Sequence, residues 1–375
     1  MPVTLKQLWT YPASILIAAL ILLSGMTVYR FTNSLIFFDS DTQTYLQTAA
    51  LFRGQDTEVH PERLLKPLAP AGIAFIAGLF GTDLPTAFLV EVLLAYFILG
   101  FVTFGFYREL FALHPNRDRL ALAGTLLLVC GYPILKYGLQ LYTETGAVAF
   151  VVGVYWLIAR YVHKPSRWTL FAAAFVGGIG FLWKEYAIVG LLALGLAVLF
   201  LPRTAGRVKG ILIEWAIIAT TASLIIVPWL LFVWNNYHYS YFDWLHIGRI
   251  SGQAVLPANE KLFIAVKSLF AIALLGWAPA LWALYRRPGE YRNAWRILAL
   301  IGVPCALFLF WGSASSRLYY VLAPVIFGLA VMGENAMIGG KVRPFWALII
   351  LVLLGNIIWL FTSEIVRPLY SAWET

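Results

Sequence analysis

Charge is what this chain has least of. Charged side chains make up 12% of its 375 residues, whereas soluble domains carry roughly 25%, so half the usual water-facing surface is missing. Cysteine is nearly absent too. Cys130 and Cys305 both lie in apolar runs, where they read as small packing residues and offer neither a disulfide framework nor a metal motif. A clear small-residue cleavage site is also lacking after the apolar stretch Tyr11–Tyr29, so that stretch is expected to be a retained first helix and not a removed signal peptide. The net charge of +9 is an excess of Lys and Arg that in an apolar chain reflects topology and contact with anionic membrane lipids; no nucleic-acid partner is expected.

What is abundant is apolar sequence. Hydrophobic residues form 61% of the chain, and a mean hydropathy of +0.80 over the whole length means many apolar segments, not one anchor. At ~20 residues per crossing, the pattern predicts an all-α polytopic transmembrane protein, a single domain over 1–375 with about eleven spans. These are 11–30, 85–107, 119–135, 143–162, 168–183, 186–201, 211–234, 263–285, 296–312, 318–338 and 344–361. Residues 67–81 are apolar but short and carry Pro67 and Pro70, which fits an interfacial or re-entrant helix.

With a cytoplasmic N-terminus, the loops on that side collect most of the 27 basic residues, among them Arg108, Arg117, Arg203, Arg286 and Arg343, as the positive-inside rule expects. Acidic residues sort to the opposite side: Asp39, Asp41, Glu62, Glu144, Glu185 and Asp243. Polar chemistry is therefore expected on the non-cytoplasmic face.

Two loops on that face are long. The first, from about Phe31 to Leu84, opens with Asp39 and Asp41 just past the first span. From Asp41 the apolar residues Tyr45, Leu46, Ala49, Ala50 and Phe52 recur at helical spacing, so an amphipathic helix is expected to start there. Asp41 is then either the helix cap, a task Ser40 could also perform, or a catalytic carboxylate. Arg63 and Lys66 further along either hold a phosphate or snorkel to headgroups. The second loop, Asn235–Lys261, is rich in Tyr and Trp and is either an interfacial aromatic belt or a substrate lid. His238 and His246 with Asp243 match no strong metal motif there.

Ionisable residues at membrane depth are costly, which makes each a functional hypothesis. Glu144 starts one span, Lys184 and Glu185 interrupt an apolar run, and Arg317 precedes another span. They either form interhelical ion pairs, Lys184 with Glu144 for instance, or clamp a lipid phosphate beside a carboxylate base.

Four pieces in this order resemble the GT-C superfamily of integral membrane glycosyltransferases, in the branch of protein O-mannosyltransferases and lipid A aminoarabinose transferases. They are the acidic motif Phe38–Asp41 with Tyr45 and Gly54; Arg63–Pro67 followed by a short apolar helix ending at Gly81; the glycine-rich Gly177–Lys184; and Arg317–Pro324. The likeness covers about residues 10–330, leaving 344–361 as an additional span. It implies transfer of sugar from a polyprenyl-phosphate donor to a lipid, glycan or other hydroxyl acceptor, at a bacterial inner membrane with the site facing the periplasm. It makes Asp41 or Asp39 the catalytic base and Arg63, Lys66, Lys184 and Arg317 the donor-phosphate ligands. Tyr45, Glu144, Glu185, Tyr320 and His246 become substrate-side residues. No cofactor is required by this reading; a divalent cation is used by some relatives, and the sequence supplies no ligand set for one. About fourteen residues follow the last span, so a small or lipid-linked acceptor is expected over a folded protein. A lipid or solute transporter is the alternative, disfavoured because the polar residues gather at one face.

Overall fold

The computed structural model describes residues 12–36, 38–200, 207–250, 257–305 and 316–370. Every regular element among them is helical, because backbone polar groups in hydrocarbon must be satisfied within the segment itself. In chain order the elements are α1 (Pro12–Thr32), α2 (Ser40–Phe52), α3 (Pro61–Leu64), α4 (Leu68–Phe80), α5 (Leu84–Leu110), α6 (Arg117–Val129) and α7 (Glu144–His163). Next come α8 (Arg167–Trp183), α9 (Ile188–Phe200), α10 (Arg207–Tyr237), α11 (Tyr241–Ile250), α12 (Ala258–Ala273), α13 (Trp277–Arg286), α14 (Arg292–Cys305), α15 (Ala323–Met337) and α16 (Val342–Tyr370).

Seven described segments are long and apolar enough to cross a membrane: 12–32, 84–110, 144–163, 208–237, 262–286, 320–337 and 342–360. The other expected spans differ in length. Expected span 119–135 is the 13-residue α6 followed by a wide turn over Ile134–Gly138, and 168–183 and 186–201 are the 17-residue α8 and the 13-residue α9. Expected span 263–285 is interrupted between α12 and α13, where Leu274 takes a φ of 45°. The Trp277 indole donates to the Leu269 carbonyl at 2.9 Å, tying the start of α13 to the last turn of α12. The second half of expected span 296–312 lies outside the described residues.

Helices α5 and α7 form the centre. Tyr96, Leu99, Phe106 and Tyr107 of α5 meet Val148, Val151, Tyr155 and Ile158 of α7 in one buried cluster with α6, α9 and α15. Lipid-facing side chains are apolar and exposed, as with Ile21, Leu22 and Met26 on α1 and Leu224 and Leu231 on α10. Small residues allow close approach, as in membrane bundles generally: a β-carbon on Gly333 of α15 would collide with the Pro279 carbonyl of α13.

The short elements of the first loop build a second, smaller cluster. Tyr45 and Ala49 of α2 pack on Ile73 and Ala77 of α4 and Phe88 of α5. Helix α4 buries that face and exposes Phe75, Leu79 and Phe80, and it stops at Gly81, whose φ of 63° suits glycine. The expected short helix at 67–81 is thus present, laid against the bundle. This loop structure brings the ends of α1, α7, α8 and α15 together with α2.

Candidate active site

The two loop carboxylates divide their work. Helix α2 begins at Ser40, one residue before the expected start, and Asp39 is its cap: Asp39 Oδ1 accepts from the Thr42 amide at 2.9 Å and from the Thr42 hydroxyl at 3.0 Å. Asp39 Oδ2 accepts from the Tyr142 hydroxyl at 2.5 Å. Capping by Asp41 is therefore corrected to capping by Asp39, because the carboxylate that precedes the first helical residue is the one that reaches the free amides.

Asp41 is left to point at cations. Its Oδ1 accepts from Arg63 Nη2 at 2.5 Å, and its Oδ2 accepts from Arg317 Nη1 at 2.7 Å. Burial alone would raise the Asp41 carboxyl, but the charges of Arg63, Arg317 and Lys184 outweigh it and hold the group well below the usual carboxylate range.

Both guanidiniums are anchored elsewhere. Arg63 donates through Nε to Thr44 Oγ1 at 2.8 Å and lies 4.6 Å from the centre of the Tyr45 ring. Arg317 donates to Glu144 Oε1 at 3.3 Å, comes within 4.0 Å of Asp39, and sits 4.7 Å from the Tyr142 ring centre. The Tyr142 phenol is raised above its ordinary value by burial, and the Asp39 carboxylate it faces adds to this.

Beneath these groups lies the pair Lys184–Glu144, 2.6 Å apart. Glu144 is 1% exposed and opens α7, where a negative charge meets the positive end of the helix. Lys184 ends α8 in extended backbone geometry and also donates to Thr143 Oγ1 at 3.2 Å. Trp183 fixes that junction by donating its indole N–H to the Thr143 carbonyl at 2.9 Å. The Lys184–Glu144 ion pair read from the sequence is present, and it joins Arg317 and Asp41 in one network.

The remaining expected residues occupy the margin. Lys66 pairs with Glu185 at 2.9 Å, both buried, and lies 5.1 Å from the Trp244 ring centre. This pair ties the first loop to the α8–α9 junction and to α11. Tyr45 is 1% exposed and accepts from Thr143 Oγ1 at 3.2 Å. Tyr320 is buried with its ring 5.6 Å from that of Tyr137. His246 is exposed on α11. Helix α11 covers the first loop through Tyr241, whose hydroxyl donates to the Leu65 carbonyl at 3.1 Å. Asp243 is used locally, accepting from the Ser240 amide and hydroxyl at 2.8 and 2.6 Å, which fits a cap.

No group of three or more His, Cys, Asp or Glu spaced to hold a metal ion occurs among the described residues. Asp39, Asp41 and Glu144 do converge, but the guanidinium of Arg317 fills the place between them where a cation would sit. Thr42, Thr44, Thr143 and Trp183 carry positioning roles that the sequence analysis did not assign. A hydroxyl three residues from a charged one is too common a pattern to signal this.

Chemically, the site offers two partly exposed carboxylates, Asp41 and Asp39, beside three cations at an end of the bundle. That arrangement suits a phosphate together with an acceptor hydroxyl.

Residues 59–232, somewhat less than half of the chain, match the family model of dolichyl-phosphate-mannose-protein mannosyltransferases. No curated protein matches the whole sequence significantly. Among solved structures, ArnT from Cupriavidus metallidurans bound to undecaprenyl phosphate superposes with a TM-score of 0.64 at 17% identity, covering 95% of this chain and 65% of that one. The apo state of the same protein gives 0.61 at 18% identity, covering 90% and 62%. The apo oligosaccharyltransferase of Archaeoglobus fulgidus gives 0.53 at 11% identity, covering 92% and 54%. This chain thus spans less than two thirds of the length of those proteins. The resemblance carried by its four motifs is borne out in these terms: the chain has the fold of the ArnT structures, and its residues 59–232 match the mannosyltransferase family model.

Proposed function

We propose that the protein is a GT-C glycosyltransferase that moves a sugar from a polyprenyl-phosphate donor to a hydroxyl of a lipid, glycan or other acceptor at the non-cytoplasmic face. The observation that carries this reading is the meeting of Asp41 with Arg317, 276 residues apart, together with Arg63, Lys184 and Glu144. Four motifs that are weak singly converge on one polar cluster at one end of an apolar bundle. The ArnT structure of like fold holds undecaprenyl phosphate, a ligand that matches a site built from cations.

In this reading Asp41 takes the proton of the acceptor hydroxyl. The acceptor oxygen forms a bond to the anomeric carbon as the bond from that carbon to the phosphate oxygen breaks. Its electron pair stays on the departing lipid phosphate, where Arg63, Arg317 and Lys184 stabilise the charge. Asp39 is the weaker candidate for the base, since three donors already occupy its oxygens. The pair Lys66–Glu185 supports the loop from behind, and Tyr45, Tyr320 and His246 line its margins.

The test is transfer of radiolabelled sugar from undecaprenyl-phosphate donors to a membrane lipid extract in nanodiscs. Wild type should form product, and Asp41→Asn should lose at least about a hundredfold in rate, the low end of what a general base contributes. Full activity in Asp41→Asn would remove Asp41 from the mechanism. Flux of a lipid or solute across vesicles, with no product from any donor, would favour a transporter instead.

A further inference from the structure

Asp41 bridges two guanidiniums with one oxygen on each, Arg63 at 2.5 Å and Arg317 at 2.7 Å. Two acceptor oxygens presented side by side to two cations is also the geometry a phosphate offers. Each cation has holds besides Asp41: Thr44, the Tyr45 ring and Glu62 at 3.4 Å for Arg63, and Glu144 and the Tyr142 ring for Arg317. Asp41, by contrast, sits in the first turn of α2 with capping delegated to Asp39, so no helix end depends on where its side chain points. Its side chain is 34% exposed, against 8% for Arg63 and 25% for Arg317. It is the most exposed of the three.

Resting on the lipid-phosphate reading above, we infer that Asp41 is a resident stand-in for the donor phosphate. It occupies Arg63 and Arg317 when the donor is absent, and an arriving phosphate displaces it and thereby frees it as the base. Two consequences follow from the charges alone. Donor binding is weaker than the bare cations would give, because it must expel a bound anion. In return, the carboxylate becomes a competent proton acceptor only once a leaving group is seated. Until then the two guanidiniums hold it ionised and low in basicity, which keeps the site from activating water or acceptor without a donor.

The linkage is tested with undecaprenyl phosphate, without sugar, titrated into wild type, Asp41→Asn and Asp39→Asn in nanodiscs of zwitterionic lipid at neutral pH. Removing the competing anion should tighten binding by Asp41→Asn about tenfold or more, equivalent to about 1.4 kcal/mol. Asp39→Asn should stay within about threefold of wild type, since its oxygens are engaged by Thr42 and Tyr142. Asp41→Ala serves as a second variant, read in the same way, should the amide disturb folding as judged by monodispersity and melting temperature. Unchanged or weaker binding on loss of the Asp41 charge overturns the stand-in while leaving the lipid-phosphate reading intact. So does equal tightening by both substitutions, which would reflect only the general field of a lost charge. Absence of saturable binding in every folded variant overturns the lipid-phosphate reading itself, and the linkage with it.

Discussion

Asp39 and Asp41 stand two residues apart and differ in every hydrogen bond. One is spent on a helix end and a tyrosine, the other on two arginines. The same contrast governs what substitution does deeper in the network. Lys184 neutralises Glu144, which is 1% exposed, and removing one member of such a pair leaves a buried charge behind. Lys184→Met should therefore destabilise the protein by roughly 3 kcal/mol, the low end for a broken buried pair, because Arg317 still reaches Glu144 at 3.3 Å. Adding Glu144→Gln should recover most of that stability in a thermal melt while transfer stays lost. Recovery of transfer along with stability would show that Lys184 serves only the fold.

Acid should act first on the same cluster. The folded Asp41 carboxyl lies below its unfolded value of about 3.9, held there by Arg63, Arg317 and Lys184 against the burial that would raise it. Its contribution is thus complete above pH about 4 and is lost as pH falls toward the folded value. The melting temperature of wild type should drop below pH about 4, and Asp41→Asn should flatten that part of the profile. A profile unchanged by the substitution would mean that other carboxylates govern acid unfolding.

At the scale of elements, the site depends on how closely α7 and α8 meet. A β-carbon on Gly146 would collide with the Trp183 ring, whose indole N–H fixes the Thr143 carbonyl next to Lys184. On the same helix, Gly153 faces α8 with its nearest neighbour, Val176, at an ordinary 3.5 Å. Gly146→Ala should cost about 1–3 kcal/mol by overpacking and lower transfer, whereas Gly153→Ala should be near neutral or slightly stabilising in the same melt. Equal effects would show that the Trp183 contact relaxes without disturbing the site. Helix α2 was legible as an amphipathic segment and α4 as a short one, because both are marked by local composition. The break at Leu274 was not, since Leu275, Gly276 and Trp277 carry an uninterrupted apolar pattern. Pro279, which has no N–H to offer the Leu275 carbonyl, and the packing of α13 on α15, with Gly333 against Pro279, favour the turn.

Across the whole molecule, opposite ends carry opposite character. At the far end from the site, Arg108 pairs with Asp118 at 2.8 Å in the open, Arg119 donates to Asn335 and to the Gly340 carbonyl, and His114 stacks on Tyr291. That end holds the loops richest in Arg, so it should be cytoplasmic. With Cys130 and Cys305 replaced, Gln55→Cys should react with a membrane-impermeant maleimide added outside intact cells, and Leu113→Cys only after permeabilisation; both positions are exposed. The reverse pattern would place the site inside the cell and exclude a donor presented on the outer face.

The sequence by itself determined that this protein lives in a membrane, that its elements are helical, and that most acidic groups sort to one face and most basic groups to the other. Hydropathy and charge bias are properties of short stretches, so they can be read without knowing which helices touch. The tertiary structure alone decided which carboxylate caps α2, which one meets the arginines, and that Lys66 turns to Glu185. Those choices join residues as far apart as Asp41 and Arg317, and only the packing of α1, α2, α7, α8 and α15 sets which charge lies within reach of which.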